Sequence, residues 1–390
     1  MARTILLVLS FSVVERDPRV LRQIRLFRDD YDVITCGFGP SPAGVADHIQ
    51  VPDELRSWRP SFKPVALMLE ARLHHRLYFG AARTRFVRSE IARRGGVDII
   101  LANDVLAVPL ALALHARRGV HADLHEFAPG QEVTGTWVRR VKPFMQWACR
   151  TSLSRVASIT TVSPGIAEEY RKQFGVDADV VPNATRYRDD LEPRPTSEPI
   201  RVIHAGAAGR VRRLEVMIDA VARVNARTPG RFELDLYLVP GDDRYIRELA
   251  ERAGDTAVTG VAVREPVSFT ELVPTMHRYD VGLFICPPTT INLKHALPNK
   301  VFEFVQARLA LVVSPSPAMA SLVREHGVGV VTDGFEAAGL VRVLDALAPA
   351  DVEAYKAASH AAAEILSAEV LSAPWLDAIS ALDRSGTTSS

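Results

Sequence analysis

The chain has 390 residues, of which 47% are hydrophobic and 24% are charged. This composition excludes a disordered or fibrous protein, and the length predicts two domains of about 190 residues each. The net charge of +1 conceals an asymmetry, because residues 1–195 carry 28 Lys and Arg against 22 Asp and Glu, whereas the remainder carries 19 against 24.

The first apolar run, ILLVLSF, is followed at once by charged residues and lacks a small-x-small cleavage site, so it predicts a buried strand rather than a signal peptide. The apolar stretch IILANDVLAVPLALALHA contains polar residues and a proline, and therefore does not predict a membrane span. Three widely separated cysteines, Cys36, Cys149 and Cys286, argue against a disulfide framework and indicate a reducing cytoplasm.

The first half alternates apolar strands with helices. A strand, TILLVLSF, precedes the helical segment DPRVLRQIRLFRD, where Asp17 is the expected N-cap and Pro18 the first-turn residue. Further short apolar runs follow in YDVITCGF, VDIILAND, HADLHE and ASITTVS. Because these strands are continuously apolar, they predict a parallel sheet covered by helices on both faces.

The segment LEPRPTSEP, residues 191–199, is predicted to be a linker because it has three prolines and no periodicity. After it the alternation restarts with IRVIHAG, LEVMIDAVARVN, FELDLYLVP, YDVGLFIC, VFEFVQA, LALVVSPS and GVGVVTDG. We therefore expect an α/β protein with a first domain at 1–190, a second at 200–366, and a helix with a frayed end at 367–390. Two doubly wound domains would face a ligand-binding cleft.

The run HAGAAGRVRRLEVMIDA indicates a strand, a glycine turn and a helix. Gly206 and Gly209 would permit close backbone approach, and Arg210, Arg212 and Arg213 stand where the helix begins. Backbone N–H groups and guanidinium groups together suit a diphosphate. The alternative is an ordinary tight turn with solvated arginines.

The run HALPNKVFEF presents a second candidate site at a helix start. Glu303 could accept two hydrogen bonds from a ribose diol, while Asn299 and Lys300 stand one turn earlier, where Lys300 could offset phosphate charge. The alternative is helix capping, with Asn299 as N-cap and Glu303 favoured by the helix dipole. Capping leaves Lys300 unexplained.

The sequence resembles the retaining glycosyltransferases of family 4, which have the two-Rossmann GT-B fold. The resemblance covers essentially the whole chain and is carried by RDPRVLRQIRLFRDDYDVITCGF, LAND, DLHE, TVSPGIAEEY, VVPNAT, HAG with RRLEVMIDAV, YDVGLFICP and ALPNKVFEFVQARLALVVS. It implies that the C-terminal helix packs back on the first domain, and that the first domain binds the acceptor while the second binds a nucleotide sugar.

The resemblance also implies roles for particular residues. Glu303 matches the second Glu of the family's E-x7-E motif, which holds the donor ribose. Arg212, or Arg213 one position later, matches the basic residue that binds the donor diphosphate. His125 resembles the first-domain histidine near the donor sugar, and Lys300 is a candidate for a further phosphate or sugar contact.

Three features depart from the family pattern. His295 stands where the first Glu of E-x7-E is expected, Ala207 replaces a common arginine, and SFSVVERDPRV lacks the glycine pair of the first-domain loop. A histidine can donate a hydrogen bond where a carboxylate cannot, so His295 is assigned to donor binding with an altered preference.

The resemblance implies transfer of a sugar, with retention, from a UDP-, GDP- or other nucleotide-sugar. The expected acceptor is a glycan or a lipid-linked glycan. No cofactor is predicted. We also predict no metal, because no pair of aspartates closes a strand as a ligand pair, and Asp242 and Asp243 are expected in a solvated turn.

Positive charge is concentrated in residues 56–96, with ten Lys and Arg against two Glu. Aromatic residues are interleaved there and in TWVRRVKPFMQWACR: Trp58, Phe62, Tyr78, Phe79, Trp137, Phe144 and Trp147. Basic helices with aromatics predict attachment to an anionic membrane surface, here the inner face of the plasma membrane. The alternative is amphipathic helices with their aromatics packed inward. No recognition helix for nucleic acid is apparent.

Two other functions stay open. A nucleotide-sugar 2-epimerase would need a pair of carboxylates in the cleft, and the sequence alone does not identify such a pair. A non-catalytic relative serving as a scaffold would be compatible with the departures at His295 and Ala207.

Overall fold

A computed structural model of the chain describes residues 3–56 and 60–385. The chain divides into two units. The first comprises the chain up to Val181, Thr290–Asn292 and the chain from Ser372 onward, and the second comprises Pro182–Thr289 and Leu293–Leu371. The predicted linker, residues 191–199, lies within the second unit.

The sheet of the first unit is parallel throughout and has the strand order β3-β2-β1-β4-β5-β6-β7. Its strands are β1 (Ile5–Val13), β2 (Asp32–Phe38), β3 (Asp47–Gln50), β4 (Ile99–Asn103), β5 (Gly119–Leu124), β6 (Ser158–Thr161) and β7 (Asp179–Val180).

The helices of the first half are α1 (Pro18–Phe27), α2 (Lys63–Glu70), α3 (His74–Gly80), α4 (Ala82–Arg93), α5 (Val108–Ala113), α6 (Lys142–Ser152) and α7 (Pro164–Phe174). As predicted, Asp17 caps α1, because its side chain accepts hydrogen bonds from the backbone N–H groups of Arg19 and Val20.

Residues of β1 alternate between two hydrophobic clusters on opposite faces of the sheet. Leu7 and Leu9 belong to the cluster that includes residues of α3 to α7, whereas Leu6 and Val8 belong to the cluster with α1. The second cluster also contains fully buried Trp375, from the C-terminal helix. Burial on both faces explains why the strands are continuously apolar.

The sheet of the second unit is also parallel and has the order β10-β9-β8-β11-β12-β13. Its strands are β8 (Ile200–Ala207), β9 (Phe232–Val239), β10 (Val261–Arg264), β11 (Val281–Phe284), β12 (Ala310–Val313) and β13 (Gly329–Val331).

The later helices are α8 (Glu215–Arg227), α9 (Asp243–Ala253), α10 (Phe269–Met276), α11 (Ile291–Lys294), α12 (Asn299–Gln306), α13 (Pro317–His326), α14 (Ala337–Ala346), α15 (Pro349–Ala362), α16 (Ala368–Leu371) and α17 (Ala373–Ser385). Helix α17 returns to the first unit, as predicted. In the described part of the chain, no helix has the length and apolar character needed to cross a membrane.

Candidate functional site

The start of α12 holds a buried carboxylate between two donors. Lys300 Nζ lies 2.5 Å from Glu303 Oε2, and Asn299 Nδ2 donates to Glu303 Oε1 at 2.8 Å. Glu303 is only 1% exposed. The N-cap is Pro298, so the alternative in which Asn299 is the N-cap is wrong: Asn299 is the first helical residue and its side chain binds Glu303 rather than the backbone.

The glycine turn after β8 brings a second element to the same place. A Cβ atom built on Gly206 would lie 3.7 Å from His204 Nε2 and 3.9 Å from Lys300 Cε. Lys300 therefore passes beside the end of β8. We call His204, Asn299, Lys300 and Glu303 the helix-start cluster. Gly209 is more open, since a Cβ there would meet only Val211 within 4 Å.

The three arginines of the turn differ in their partners. Arg210 forms an ion pair with Glu248 at 2.7 Å, and Arg213 forms one with Glu336 at 2.6 Å. Arg212 is half-buried and makes no ion pair within residues 3–56 and 60–385. Of the three, Arg212 is therefore the cation most available to an anionic ligand.

His204 is an electrically neutral member of the helix-start cluster. Burial lowers the pKa of His204 to about 4, and the charges of Arg212 and Lys300 act in the same direction. Its Nδ1 lies 3.0 Å from the carbonyl oxygen of Leu283. Because that oxygen only accepts, Nδ1 carries the proton and Nε2 presents a lone pair.

The two positions that depart from the family pattern lie near this cluster in the chain. His295 is half-buried and follows α11, four residues before α12 begins. Ala207 is exposed at the end of β8. The assignment of His295 to donor binding stays a prediction.

In the first unit, the carboxyl ends of β4 and β5 carry a hydrogen-bonded network around Asp123, which is fully buried. Its carboxylate accepts from Arg19 at 2.6 and 2.7 Å, from Gln23 at 2.7 Å, from Thr160 at 2.7 Å and from Trp375 at 3.2 Å. Burial would raise the pKa of Asp123, but Arg19 and then His125 outweigh it and hold that pKa well below the usual range.

His125 follows β5 at the edge of this network. Its Nε2 donates to Asn103 Oδ1 at 3.0 Å, and its Nδ1 lies 3.4 Å from Asp104 Oδ2. Burial lowers the pKa of His125, but Asp104 and Asp123 outweigh burial and raise it above the usual value. We call Arg19, Gln23, Asn103, Asp123, His125, Thr160 and Trp375 the Asp123 network.

Glu126 lies beside His125, and burial, reinforced by Asp104, raises its pKa. Asp104 and Glu126 are thus two carboxylates in the neighbourhood of His125. Both residues stand in the runs LAND and DLHE, but the sequence did not predict that they lie close together. The available signal was their position one residue after β4 and two residues after β5, since neighbouring parallel strands end at the same edge.

Comparison with known proteins agrees with this architecture. Residues 25–186 match the model of glycosyltransferase family 4. Less than half of the chain is therefore similar to glycosyltransferase family 4, while the fold of the whole chain is the GT-B fold. A search of curated protein sequences finds no match.

Solved GT-B structures resemble the whole chain at low sequence identity. An α,α-trehalose 6-phosphate synthase from Burkholderia multivorans has a TM-score of 0.71 at 13% identity, with 100% of each chain covered. A sucrose-phosphate synthase from Thermosynechococcus elongatus has a TM-score of 0.71 at 13% identity, covering 98% of this chain and 100% of that one. A trehalose-6-phosphate protein from E. coli, bound with UDP-2-fluoro glucose, has a TM-score of 0.67 at 13% identity, covering 97% and 99%.

The basic segment of this GT-B protein packs most of its aromatic residues inward. Tyr78 and Phe144 are buried, and Trp147 stacks on Phe144 with ring centroids 5.6 Å apart. Phe62 is 61% exposed. Trp58 lies outside the described residues.

Exposed apolar and basic side chains nevertheless occur together in one stretch of the chain along α2 and the start of α3. Its members, which we call the α2 surface, are Phe62, Lys63, Leu67, Arg72, Leu73 and Arg76. In the parts of the GT-B chain that the structure describes, no group of three or more His, Cys, Asp or Glu is placed to hold a metal ion. Metal independence stays a prediction.

Proposed function

We propose that the protein is a retaining glycosyltransferase that moves a sugar from a nucleotide-diphosphate sugar to a glycan or lipid-linked acceptor. The observation that carries this proposal is the helix-start cluster, where Lys300 pairs with Glu303 and passes beside Gly206, at the end of the strand that leads into the turn with Arg212. The first domain, residues 1–190, binds the acceptor, and the second, residues 200–366, binds the donor.

Each side chain of the donor site has a chemical task. Glu303 accepts hydrogen bonds from the ribose hydroxyls, and Asn299 orients its carboxylate. Arg212, Lys300 and the N–H groups at the start of α12 stabilise the departing nucleoside diphosphate, whose negative charge grows as the bond to the sugar breaks. Gly206, Gly209 and Arg213 lie along the same turn, and His295 contacts the sugar.

We assign His125 to the first domain's contribution to the donor site, as a positive charge that acts on the leaving phosphate. Its pKa is raised by Asp104 and Asp123 against the opposing effect of burial, which favours an imidazolium near the leaving phosphate oxygen. Retention then proceeds by attack of the acceptor on the face that the diphosphate leaves, and no residue has to act as a nucleophile. The UDP-2-fluoro glucose in the E. coli relative supports a UDP-sugar as the first donor to test.

Incubation with UDP-, GDP-, ADP- and dTDP-sugars, with release of nucleotide as the readout, tests the activity. Nucleotide release that depends on an added lipid-linked glycan supports the proposal. NMR of the product should show that the transferred sugar has the same anomeric configuration as in the donor. Chelation with EDTA is expected to leave the rate unchanged. Loss of activity with EDTA and its return with Mg²⁺ or Mn²⁺ contradicts the metal-independent form of the proposal.

We also propose peripheral attachment to the inner face of the plasma membrane through the α2 surface. Each basic residue near an anionic bilayer contributes about 1 kcal/mol, and Phe62 and Leu67 can enter the headgroup region. Binding to liposomes rich in anionic lipid at low salt is expected to fall in a Phe62→Ser/Leu67→Ser variant. The matched control is Val239→Ser/Val370→Ser, which removes exposed apolar groups of the second unit; equal loss in both variants contradicts the assignment.

A nucleotide-sugar 2-epimerase is the second candidate, and the carboxylates of Asp104 and Glu126 beside His125 favour it. A nucleotide-sugar assay without acceptor separates the two functions. Epimerised or free sugar formed at the same rate with and without acceptor supports the epimerase, whereas acceptor-dependent turnover supports the transferase.

A further inference from the structure

The donor site as proposed contains a conflict. Glu303 is 1% exposed, and both of its carboxylate oxygens already accept a hydrogen bond from a neighbouring side chain. Lys300, whose side chain is 12% exposed, covers Oε2. Ribose hydroxyls can reach this carboxylate only if the Lys300 ammonium moves away from it.

His204 offers the ammonium an alternative partner. It is 1% exposed, and its Nε2 has no hydrogen-bond partner among the residues that the structure describes. Buried polar atoms normally have a partner, so such an atom calls for an explanation. The atom is an acceptor, because Nδ1 donates to Leu283.

The positions of the two side chains fit an exchange of partners. His204 Nε2 and Lys300 Cε both lie within 4 Å of the same point beside Gly206, at 3.7 and 3.9 Å. Rotation about the terminal bonds of Lys300 can turn the ammonium from Glu303 toward that point without moving the helix. Because the pKa of His204 is lowered to about 4, the ring stays neutral and keeps its lone pair at ordinary pH.

We propose that His204 is a positioning residue that accepts a hydrogen bond from Lys300 Nζ when a nucleotide sugar displaces Lys300 from Glu303. One movement then serves both parts of the donor. The carboxylate of Glu303 becomes available to the ribose, and the ammonium moves to the glycine turn, where the diphosphate is proposed to bind. This inference rests on the proposed donor site.

Calorimetric titration with nucleoside diphosphates compares the wild type with two variants. His204→Phe keeps a ring against Phe284, whose centroid lies 5.8 Å from that of His204, but removes the acceptor. It is expected to weaken binding about tenfold, the effect of one hydrogen bond to a charged group. His204→Gln restores an acceptor oxygen and is expected to recover part of the loss.

Two further readouts separate positioning from a merely structural role. The unliganded His204→Phe protein is expected to melt within a few degrees of the wild type. In ¹⁵N-histidine NMR, the Nε2 resonance of His204 is expected to shift when the nucleotide is added to the wild type but not to Lys300→Met. If His204→Phe does not fold, His204→Gln and the NMR comparison carry the test.

The inference is overturned if His204→Phe binds nucleotide as tightly as the wild type. It is also overturned if the Nε2 resonance shifts equally in Lys300→Met, because the ligand rather than Lys300 would then be the donor. A wild-type protein that binds no nucleoside diphosphate overturns the proposed function as well. If nucleoside diphosphates bind tightly and the affinity does not depend on residue 204, the inference about His204 fails but the proposed function stands.

Discussion

The Asp123 network and the helix-start cluster both bury a carboxylate against a basic side chain, yet they differ in how completely their polar atoms are paired. Asp123 receives hydrogen bonds from four different side chains. The helix-start cluster leaves His204 Nε2 without a partner among the described residues. A fully paired network holds the strand ends in place, whereas one with spare bonding capacity is suited to a ligand.

The largest expected effect is a loss of stability when the central carboxylate of the Asp123 network is removed. Asp123→Ala leaves the buried Arg19 guanidinium without its counter-charge and is expected to cost about 3–5 kcal/mol of unfolding free energy. All four tryptophans precede residue 150 or follow residue 370, so tryptophan fluorescence in urea follows the first unit. Glu303→Ala is the control and should leave the urea midpoint of that transition unchanged. An equal shift of the midpoint in both variants would contradict the proposed difference between the Asp123 network and the helix-start cluster.

The next effect separates two adjacent arginines of the glycine turn. Arg212→Ala is expected to weaken the binding of a nucleoside diphosphate about ten- to a hundredfold, because it removes a charged hydrogen bond to phosphate. Arg213→Ala, whose side chain is held by Glu336, is expected to change affinity less than about threefold. Isothermal titration calorimetry measures both affinities. An equal loss of affinity in the two variants would show that the ion pair with Glu336 does not keep Arg213 from binding the diphosphate.

A smaller effect is expected at His295. His295→Glu restores the carboxylate of the family motif and should change the ratio of kcat/KM between two nucleotide sugars by about tenfold, because a hydrogen-bond donor is exchanged for an acceptor. Turnover with the best donor should survive. Loss of activity with every donor would contradict the role in selectivity.

The smallest effect is a pH dependence at His125. The pKa of His125 is raised, which means that the folded state favours the imidazolium. The stabilisation of the folded state by Asp104 is therefore fully present below the unfolded pKa of about 6.5, and it is lost as the pH rises through the folded pKa. Asp104→Asn should therefore cost up to about 1 kcal/mol below pH 6 and nothing at high pH. Urea unfolding from pH 5 to 9 checks this, and a constant difference contradicts it.

Much of the fold could be predicted from the sequence, because the signals are local. Continuously apolar runs such as ILLVLSF identify buried parallel strands, and Asp17 with Pro18 identifies the start of α1. The short strands β3, β7 and β10 were not predicted. They have at most four residues and lie at or next to the sheet edges, where one-sided burial leaves a weak apolar pattern.

The candidate site was predicted less completely, because its contacts join distant parts of the chain. Glu303 and Lys300 lie one helical turn apart and could be paired from sequence. Asp123 contacts Trp375, which is 252 residues away, and His204 meets Lys300 only after β8 and α12 come together. Spacing along the chain contains no signal for such contacts.

Binding of nucleoside diphosphates to the wild type and to Glu303→Ala tests the central claim, that the start of α12 holds the donor nucleotide. In a thermal-shift screen against UDP, GDP, ADP and dTDP, at least one nucleotide should raise the melting temperature of the wild type in a saturable manner. The same nucleotide should have little or no effect on Glu303→Ala. An equal shift in both proteins, or no shift with any nucleotide, would contradict the account.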